Sequence, residues 1–352
     1  MQDLTSQLTE RVRQARADGH RLNLVGGNSK AFMGRAVEGE PVELAGHRGI
    51  VSYQPVELVL TARAGTPLAE IDAALAEHGQ MLACEPPLFD GRATLGGTLA
   101  CHLSGPGRPW CGSIRDQVLG LKLINGRGEL LRFGGQVMKN VAGYDVSRLQ
   151  AGAMGTLGIM TEVSLKVMPR PALSLTLVRE LGAAEAIAEM NRLAGQPRPL
   201  TAACWLDNRL YLRLSGAAGA VQGTARQWPG EVLEQGDDFW RDLREQRLAF
   251  FAGDEPLWRF SVRSTAAHAL PEAAWLLDWG GSQRWLRGDF DQAGLEALAE
   301  VAGGQVALYR GGDRSGEVLH RLPAPMQALQ RRLKAALDPD GLFNPGRLYR
   351  WL

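Results

Sequence analysis

Glycines set among small and apolar residues are the feature of this chain that points most directly to chemistry. Between Lys139 and Pro169 the run KNVAGYDVSRLQAGAMGTLGIMTEVSLKVMP places Gly143, Gly152, Gly155 and Gly158 in a stretch otherwise suited to packing, with Ala153 beside them. Positions without side chains let backbone pass close to a flat ligand. A second candidate is VGGNSK, Val25 to Lys30, where a strand ending in Gly26, Gly27, Asn28 and Ser29 would present backbone N–H groups to phosphate oxygens. It matches neither GxGxxG nor GxxxxGK[ST], so the usual nucleotide fingerprints are absent. The third is Cys84 to Gly134, which carries Thr94, Gly96, Gly97, Ser104, Gly105, Gly107 and Gly112. That is too much glycine for a packed helix, and an extended ligand running along the segment would explain it. Each has a plainer reading: a tight hairpin, a strand-end turn, a long surface loop.

The elements that must position these segments follow from periodicity. Leu8, Val12 and Ala15 recur at helical spacing from Thr5 to Ala17, and Gly19 ends that helix. Leu22 and Leu24 alternate into the first glycine turn, and Glu57 to Thr61 reads as a further strand. Pro67 opens a helix with Leu68, Ile71 and Leu75 inward. Val118, Leu119, Leu121, Leu123 and Ile124 form a buried strand before a turn at Asn125 to Gly128. After Gly158, the positions Ile159, Thr161, Val163, Leu165 and Val167 alternate until Pro169. Arg115 and Asp116 are either substrate groups or a structural ion pair, and the pair is the favoured reading.

From Ala172 the texture changes. A strand at Leu173 to Leu177 precedes a helix at Ala183 to Leu193, and two strands flank Asp207 and Asn208. Helices at Ala217 to Gln227 and Phe239 to Phe251 lead to the strand LWRFSVRS and a hairpin about Gly280 and Gly281. A helix with Leu295 and Leu298 and a strand at Val306 to Tyr309 complete an α+β region with a mainly antiparallel sheet. Trp205, Trp228, Trp240, Trp258, Trp275, Trp279 and Trp285 fall here, and core burial is the favoured use for them over an aromatic wall beside a ring system. Arg259, Arg263, Arg284 and Arg287 are candidates for clamping a carboxylate or a partner protein. Gly311 to Gly316 reads as a linker, Met326, Leu329 and Leu333 as a last helix, and DPDGLFNPGRLY as a closing turn.

With 352 residues the chain is long enough for two domains and a sizeable ligand site. A formal net charge of +1 without blocks of like charge argues against nucleic acid. No apolar run approaches the roughly 20 residues that span a bilayer, and no signal-peptide core is evident. A soluble, cytoplasmic protein is expected. Cys84, Cys101, Cys111 and Cys204 lack CxxC spacing, and no two histidines stand at HxH or HxxxH, so neither an iron–sulfur cluster nor a metal site is expected.

Taken in order, VGGNSK, TLGGTLA, GSIRDQVLGLKLINGRGELLRFG, KNVAGYD and GTLGIMTEVSLKVMPRP resemble the flavin-binding domain of the vanillyl-alcohol oxidase and p-cresol methylhydroxylase (PCMH) superfamily. Within it they are most similar to the FAD-binding subunits of bacterial glycolate oxidases. The resemblance covers roughly the first 170 residues. It implies a two-part PCMH-type FAD-binding domain over 1–170, an α+β cap domain over 171–315, and a C-terminal segment, 316–352, that returns to the first domain. It also implies that Gly26, Gly27, Asn28 and Ser29 hold the FAD pyrophosphate. Thr94, Gly96 and Gly97, and Gly155, Thr156, Leu157, Gly158 and Ile159, would line the adenosine and the isoalloxazine. Tyr144 and Asp145 belong to the same constellation, and Asn344 approaches the flavin. FAD is expected to be non-covalent, since Asn28 stands where linked members often have histidine.

Related catalytic flavoproteins carry an HxHxGD-type metal motif that helps hold the hydroxy acid, and this chain has none, so no catalytic residue is assigned. The leading expectation is an FAD-bearing subunit of a multi-subunit glycolate oxidase. Its implied partners are a larger catalytic flavoprotein paralogue and an iron–sulfur subunit, with a small 2-hydroxy acid as substrate of the complex. Membrane association through a partner is left open. The alternatives are a self-sufficient FAD-dependent hydroxy-acid dehydrogenase using the arginines of the cap, and a flavin-free scaffold.

Overall fold

The computed structural model describes residues 3–135 and 145–352. Tyr144, Gly143 and most of KNVAGYD lie outside the described residues. The chain divides into two compact units, the first made of 1–103, 113–169 and 314–352, the second of 104–112 and 170–313.

The first unit has two cores. In one, the helix Thr5–Asp18 buries Leu8, Val12 and Ala15, the stripe its spacing dictates. These meet Leu22, Val42, Ile124, Ile159, Leu342 and Phe343. Strand β1 (Leu22–Val25) pairs in parallel with β2 (Glu40–Glu43), and Leu22 also bridges Phe343 of the C-terminal segment. In the other core, β3 (Ile50–Gln54), β4 (Val59–Arg63), β6 (Val118–Ile124), β7 (Leu130–Gly134) and β8 (Ile159–Lys166) form a five-stranded antiparallel sheet in the order β3-β4-β8-β6-β7. The short β5 (Gln80–Met81) pairs with β9 (Met168–Pro169). Leu68, Ile71 and Leu75 of the helix Leu68–Ala76 and Leu95 and Leu99 of the helix Leu95–Cys101 pack on this sheet.

The helix Leu95–Cys101 corrects the expectation of an extended glycine-rich segment. Thr94 caps it by accepting from Gly97 N at 3.3 Å, and a Cβ on Gly96 would stand 2.7 Å from Ala64 Cβ. Glycine there serves the close approach of helix to strand. Asp116 spends its carboxylate on the Ser113 N–H and hydroxyl, both at 2.8 Å, as a capping box. Its role is structural.

Two buried polar groups fasten the first unit. His47, 1 % exposed, accepts Leu4 N–H at Nδ1 (2.9 Å), so its Nε2 donates to Thr161 O (3.0 Å). Lys334 of the helix Ala324–Leu337 donates to Thr156 O, Phe343 O and Asp338 Oδ2 at 2.7, 2.8 and 2.6 Å. Asp338 in turn accepts Leu342 N and Phe343 N.

The second unit is built on an eight-stranded antiparallel sheet. It comprises β10 (Leu173–Glu180), β11 (Leu200–Leu206), β12 (Arg209–Gly216), β13 (Glu231–Val232), β14 (Leu257–Ser261), β15 (Ala274–Asp278), β16 (Gln283–Arg287) and β17 (Gln305–Arg310), in the order β13-β10-β12-β11-β15-β16-β14-β17. The turns at Asp207–Asn208 and Gly280–Gly281 fall where the sequence puts them, with all four residues at positive φ. All seven tryptophans named above are buried, none beyond 9 % exposed, so they serve the core. Residues 104–112 join this unit: Trp279 Nε1 donates to Gly105 O at 3.0 Å, and the Arg108 guanidinium stacks on the Trp279 ring. Among the described residues, no helix is long and apolar enough to cross a membrane.

Candidate functional site

The first unit contains a cleft open to solvent. Its lining comes from both cores: the end of β1 and the turn after it, one side of the helix Leu95–Cys101 from Gly96 to its last residue, the residues before β8 and at its start, and the C-terminal segment. Ten of the residues singled out by sequence meet here: Gly26, Gly27, Asn28, Ser29, Thr94, Gly96, Gly97, Gly155, Gly158 and Asn344.

The turn after β1 is shaped to present backbone. Asn28 takes a left-handed φ of 53°, a conformation that asparagine tolerates better than other side-chain-bearing residues. Among the described residues, the amides of Gly27, Asn28 and Ser29 donate to no backbone carbonyl. A Cβ on Gly27 would fall 1.7 Å from Arg92 O, so any side chain there would drive the turn off the wall behind it. Glycine is needed on the protein side of this turn, and its amides are left for a ligand.

Asn344 locks the cleft's opposite edge. Its Oδ1 accepts Leu24 N–H at 2.7 Å and its Nδ2 donates to Met154 O at 2.6 Å. Its own N–H donates to Leu22 O at 2.9 Å. One side chain therefore joins β1, the segment before β8 and the C-terminal segment.

Four predicted residues do not line the cleft. Thr156 turns its hydroxyl to Ala153 O (2.7 Å) and gives its carbonyl to Lys334. Leu157 is buried and Ile159 sits in the smaller core. Asp145 caps the helix Val146–Leu149, accepting from Arg148 N at 3.2 Å. The arginines of the second unit do not converge on a carboxylate site either. Arg263 donates to Ala302 O and Val301 O at the end of a helix. Arg284 donates to Gly281 O, Ala267 O and Ala266 O, Arg287 pairs with Glu255 at 2.9 Å, and Arg259 lies over Tyr309.

Sequence reasoning missed Lys30, Ala31, Cys101, Met154, Met160 and Arg347, which also line the cleft. Lys30 is 7 % exposed and donates to Ser29 Oγ at 3.0 Å. It lay inside the quoted VGGNSK, and Arg347 follows Asn344 by three residues.

Along 347 residues, 99% of this chain and 98% of the relative, the sequence is 48% identical to glycolate oxidase subunit GlcE of Escherichia coli K12. The chain belongs to the GlcE family of glycolate oxidase subunits. Residues 4–134 of this GlcE-family chain match the FAD binding domain family, and FAD is its cofactor. Glycolate oxidase subunit GlcD of Bacillus subtilis is 31% identical over 72% of this chain and 54% of its own length. The mitochondrial D-lactate dehydrogenase [cytochrome] 1 of Saccharomyces cerevisiae is 29% identical over 35% of this chain and 20% of its own. A solved alkyldihydroxyacetonephosphate synthase superposes with a TM-score of 0.67 at 16% identity, covering 97% of this chain and 76% of that one, which shows a shared fold. The α+β, PCMH-type architecture expected from the motifs is thereby established, and the GlcE-family chain is a subunit of an FAD-linked oxidoreductase.

The cleft fits such a cofactor. Free turn amides with a buried lysine beside them suit phosphate, and the walls at Ala64, Gly96, Ala100, Met154, Gly155, Gly158 and Met160 are small or apolar enough to admit a flat ring.

Proposed function

We propose that this chain is the FAD-bearing subunit of a multi-subunit glycolate oxidase that converts glycolate to glyoxylate and passes the electrons on. The observation that carries this reading is 48% identity to a glycolate oxidase subunit along nearly the whole of both chains, joined to a cleft whose turn amides are unspent and whose walls are small or apolar. FAD supplies the hydride acceptor for hydroxy-acid oxidation. The chain's own part is to hold it: the amides of the 26–29 turn face the phosphates, Thr94, Gly96 and Gly97 form one wall, and Gly155, Gly158 and Asn344 the other. Tyr144, which lies outside the described residues, is assigned to the same constellation, whereas Asp145 is left to its cap on the helix Val146–Leu149.

The partners in this reading are a GlcD-like flavoprotein, to which this chain is itself related, and an iron–sulfur subunit that receives electrons. The complex is assigned to the cytoplasm, with any docking to the membrane made through a partner. The domain division is 1–170 for cofactor binding, 171–315 for the cap and 316–352 for the returning segment.

The test is spectroscopic. The purified chain should show flavin bands that persist when glycolate is added without oxygen, and bleach once the partner subunits are present. Bleaching by the isolated chain would assign it a complete hydroxy-acid site of its own. Failure to take up added FAD would leave only a scaffold.

A further inference from the structure

We infer that Arg347 forms an oxyanion subsite of the cleft, placed to take the diphosphate of the dinucleotide as it lies along the 26–31 turn. The inference rests on the FAD reading above and goes beyond it in naming the side chain that answers the charge.

Arg347 lines the cleft, and its backbone is fixed at both ends. Its N–H donates to Asn344 O at 3.1 Å, and its carbonyl accepts Arg35 N–H at 2.9 Å. Its stem is wedged against Gly34, where a Cβ would meet Arg347 O at 2.8 Å and Nε at 3.0 Å. Among the described residues the guanidinium, with its five N–H donors, makes one side-chain hydrogen bond, a long one of 3.3 Å from Nη2 to Ala31 O. Among the described residues it pairs with no carboxylate. Burial holds it below the usual arginine value, opposed only by the Cys101 thiol. Arg314 beside it, which donates to Gly34 O through Nε and Nη2, is itself pushed down by burial and then by the charge of Arg347.

A half-buried guanidinium with most of its donors unspent suits an anion. A planar fork with free donors is suited to phosphate, which it engages bidentately. The bond to Ala31 sets the guanidinium beside the turn. Ala31 ends the same cleft-lining stretch whose amides at Gly27, Asn28 and Ser29 reach no backbone carbonyl. An oxyanion seated on those amides is therefore within the reach of Arg347. The carboxylate of a hydroxy acid shares this chemistry, and the experiment separates the two.

The full chain is stripped of flavin, and FAD binding is titrated by flavin fluorescence at several salt concentrations for wild type, Arg347→Gln and Arg347→Lys. Loss of charge-assisted hydrogen bonds is expected to raise Kd for FAD roughly 10- to 100-fold in R347Q and to flatten the rise of Kd with salt. R347K, which keeps the charge and loses the fork, is expected to fall between. Equal FAD affinity in wild type and R347Q overturns the inference, including the case in which only the bleaching by glycolate of the assembled complex is lost, which would assign Arg347 to the substrate carboxylate. Far-UV circular dichroism reports folding. If R347Q does not fold, an R347K Kd equal to wild type overturns the inference and a severalfold rise supports it. Failure of the wild-type chain to bind FAD would instead sink the cofactor reading on which the inference stands.

Discussion

His47 has no exposed surface to speak of and bonds at both ring nitrogens, which fixes it as the neutral tautomer with its proton on Nε2. Desolvation lowers its pKa, against the raising influence of the Thr161 carbonyl and of Asp3 and Glu162, and with Arg63 adding to the fall. Protonation would place a second N–H at Nδ1, facing the amide of Leu4. The unfolded chain, with histidine near its ordinary value of about 6.5, takes up the proton first as pH falls. The His47 contribution is thus full above about pH 7 and declines through and below pH 6.5, at most by about 1.4 kcal/mol per pH unit. Urea unfolding of wild type and His47→Gln across pH 5–8 measures this. The stability difference should narrow on the acid side, and a constant difference would refute the assignment.

At the scale of elements, the last helix, Ala324–Leu337, is held chiefly by its final turn. Lys334 there is the helix's one buried residue. It is paired to Asp338, 1 % exposed, and spends its other two hydrogen bonds on carbonyls that flank the cleft. Burial depresses its pKa, and Asp338 opposes the fall. Removing one member of a buried pair leaves an uncompensated charge, so Lys334→Met is expected to cost about 3–5 kcal/mol. K334M/D338N should recover part of that loss, and a double-mutant cycle with no coupling would sink the account.

Lys334 also shows where sequence stops being informative. A lysine in a helix rich in arginine reads as solvated, and only the fold brings Thr156 and Phe343 to it. Strands such as β6 and β8 were legible because alternation and bounding glycine or proline are local signals. The helix Leu95–Cys101 was not, because two glycines in its first turn outweigh its propensity until Thr94 caps it and Ala64 receives it. The same contrast holds in the cleft. The glycine turn announces itself in the sequence, whereas Arg347 looks like any cation after a turn until Ala31 stands beside it. Thr156, Leu157 and Ile159 share a motif with Gly155 and Gly158, yet the turn over 154–157 and the start of β8 send them to the interior.

At the scale of the whole molecule, each unit has its own sheet and its own buried apolar set. A protein so built need not unfold in one step. Calorimetry of the chain is expected to resolve two transitions, with added FAD raising only the one belonging to the first unit by mass action. A single transition shifted as a whole by FAD would show instead that the units unfold together. The first unit is also assembled from distant stretches: Leu24 and Asn344 are 320 positions apart. During synthesis β1 therefore leaves the ribosome long before the segment that completes its edge. The glycine turn waits with one border missing while the whole second unit is translated. Cofactor loading is in consequence a late event, and a nascent chain stalled within the second unit holds an unclosed cleft.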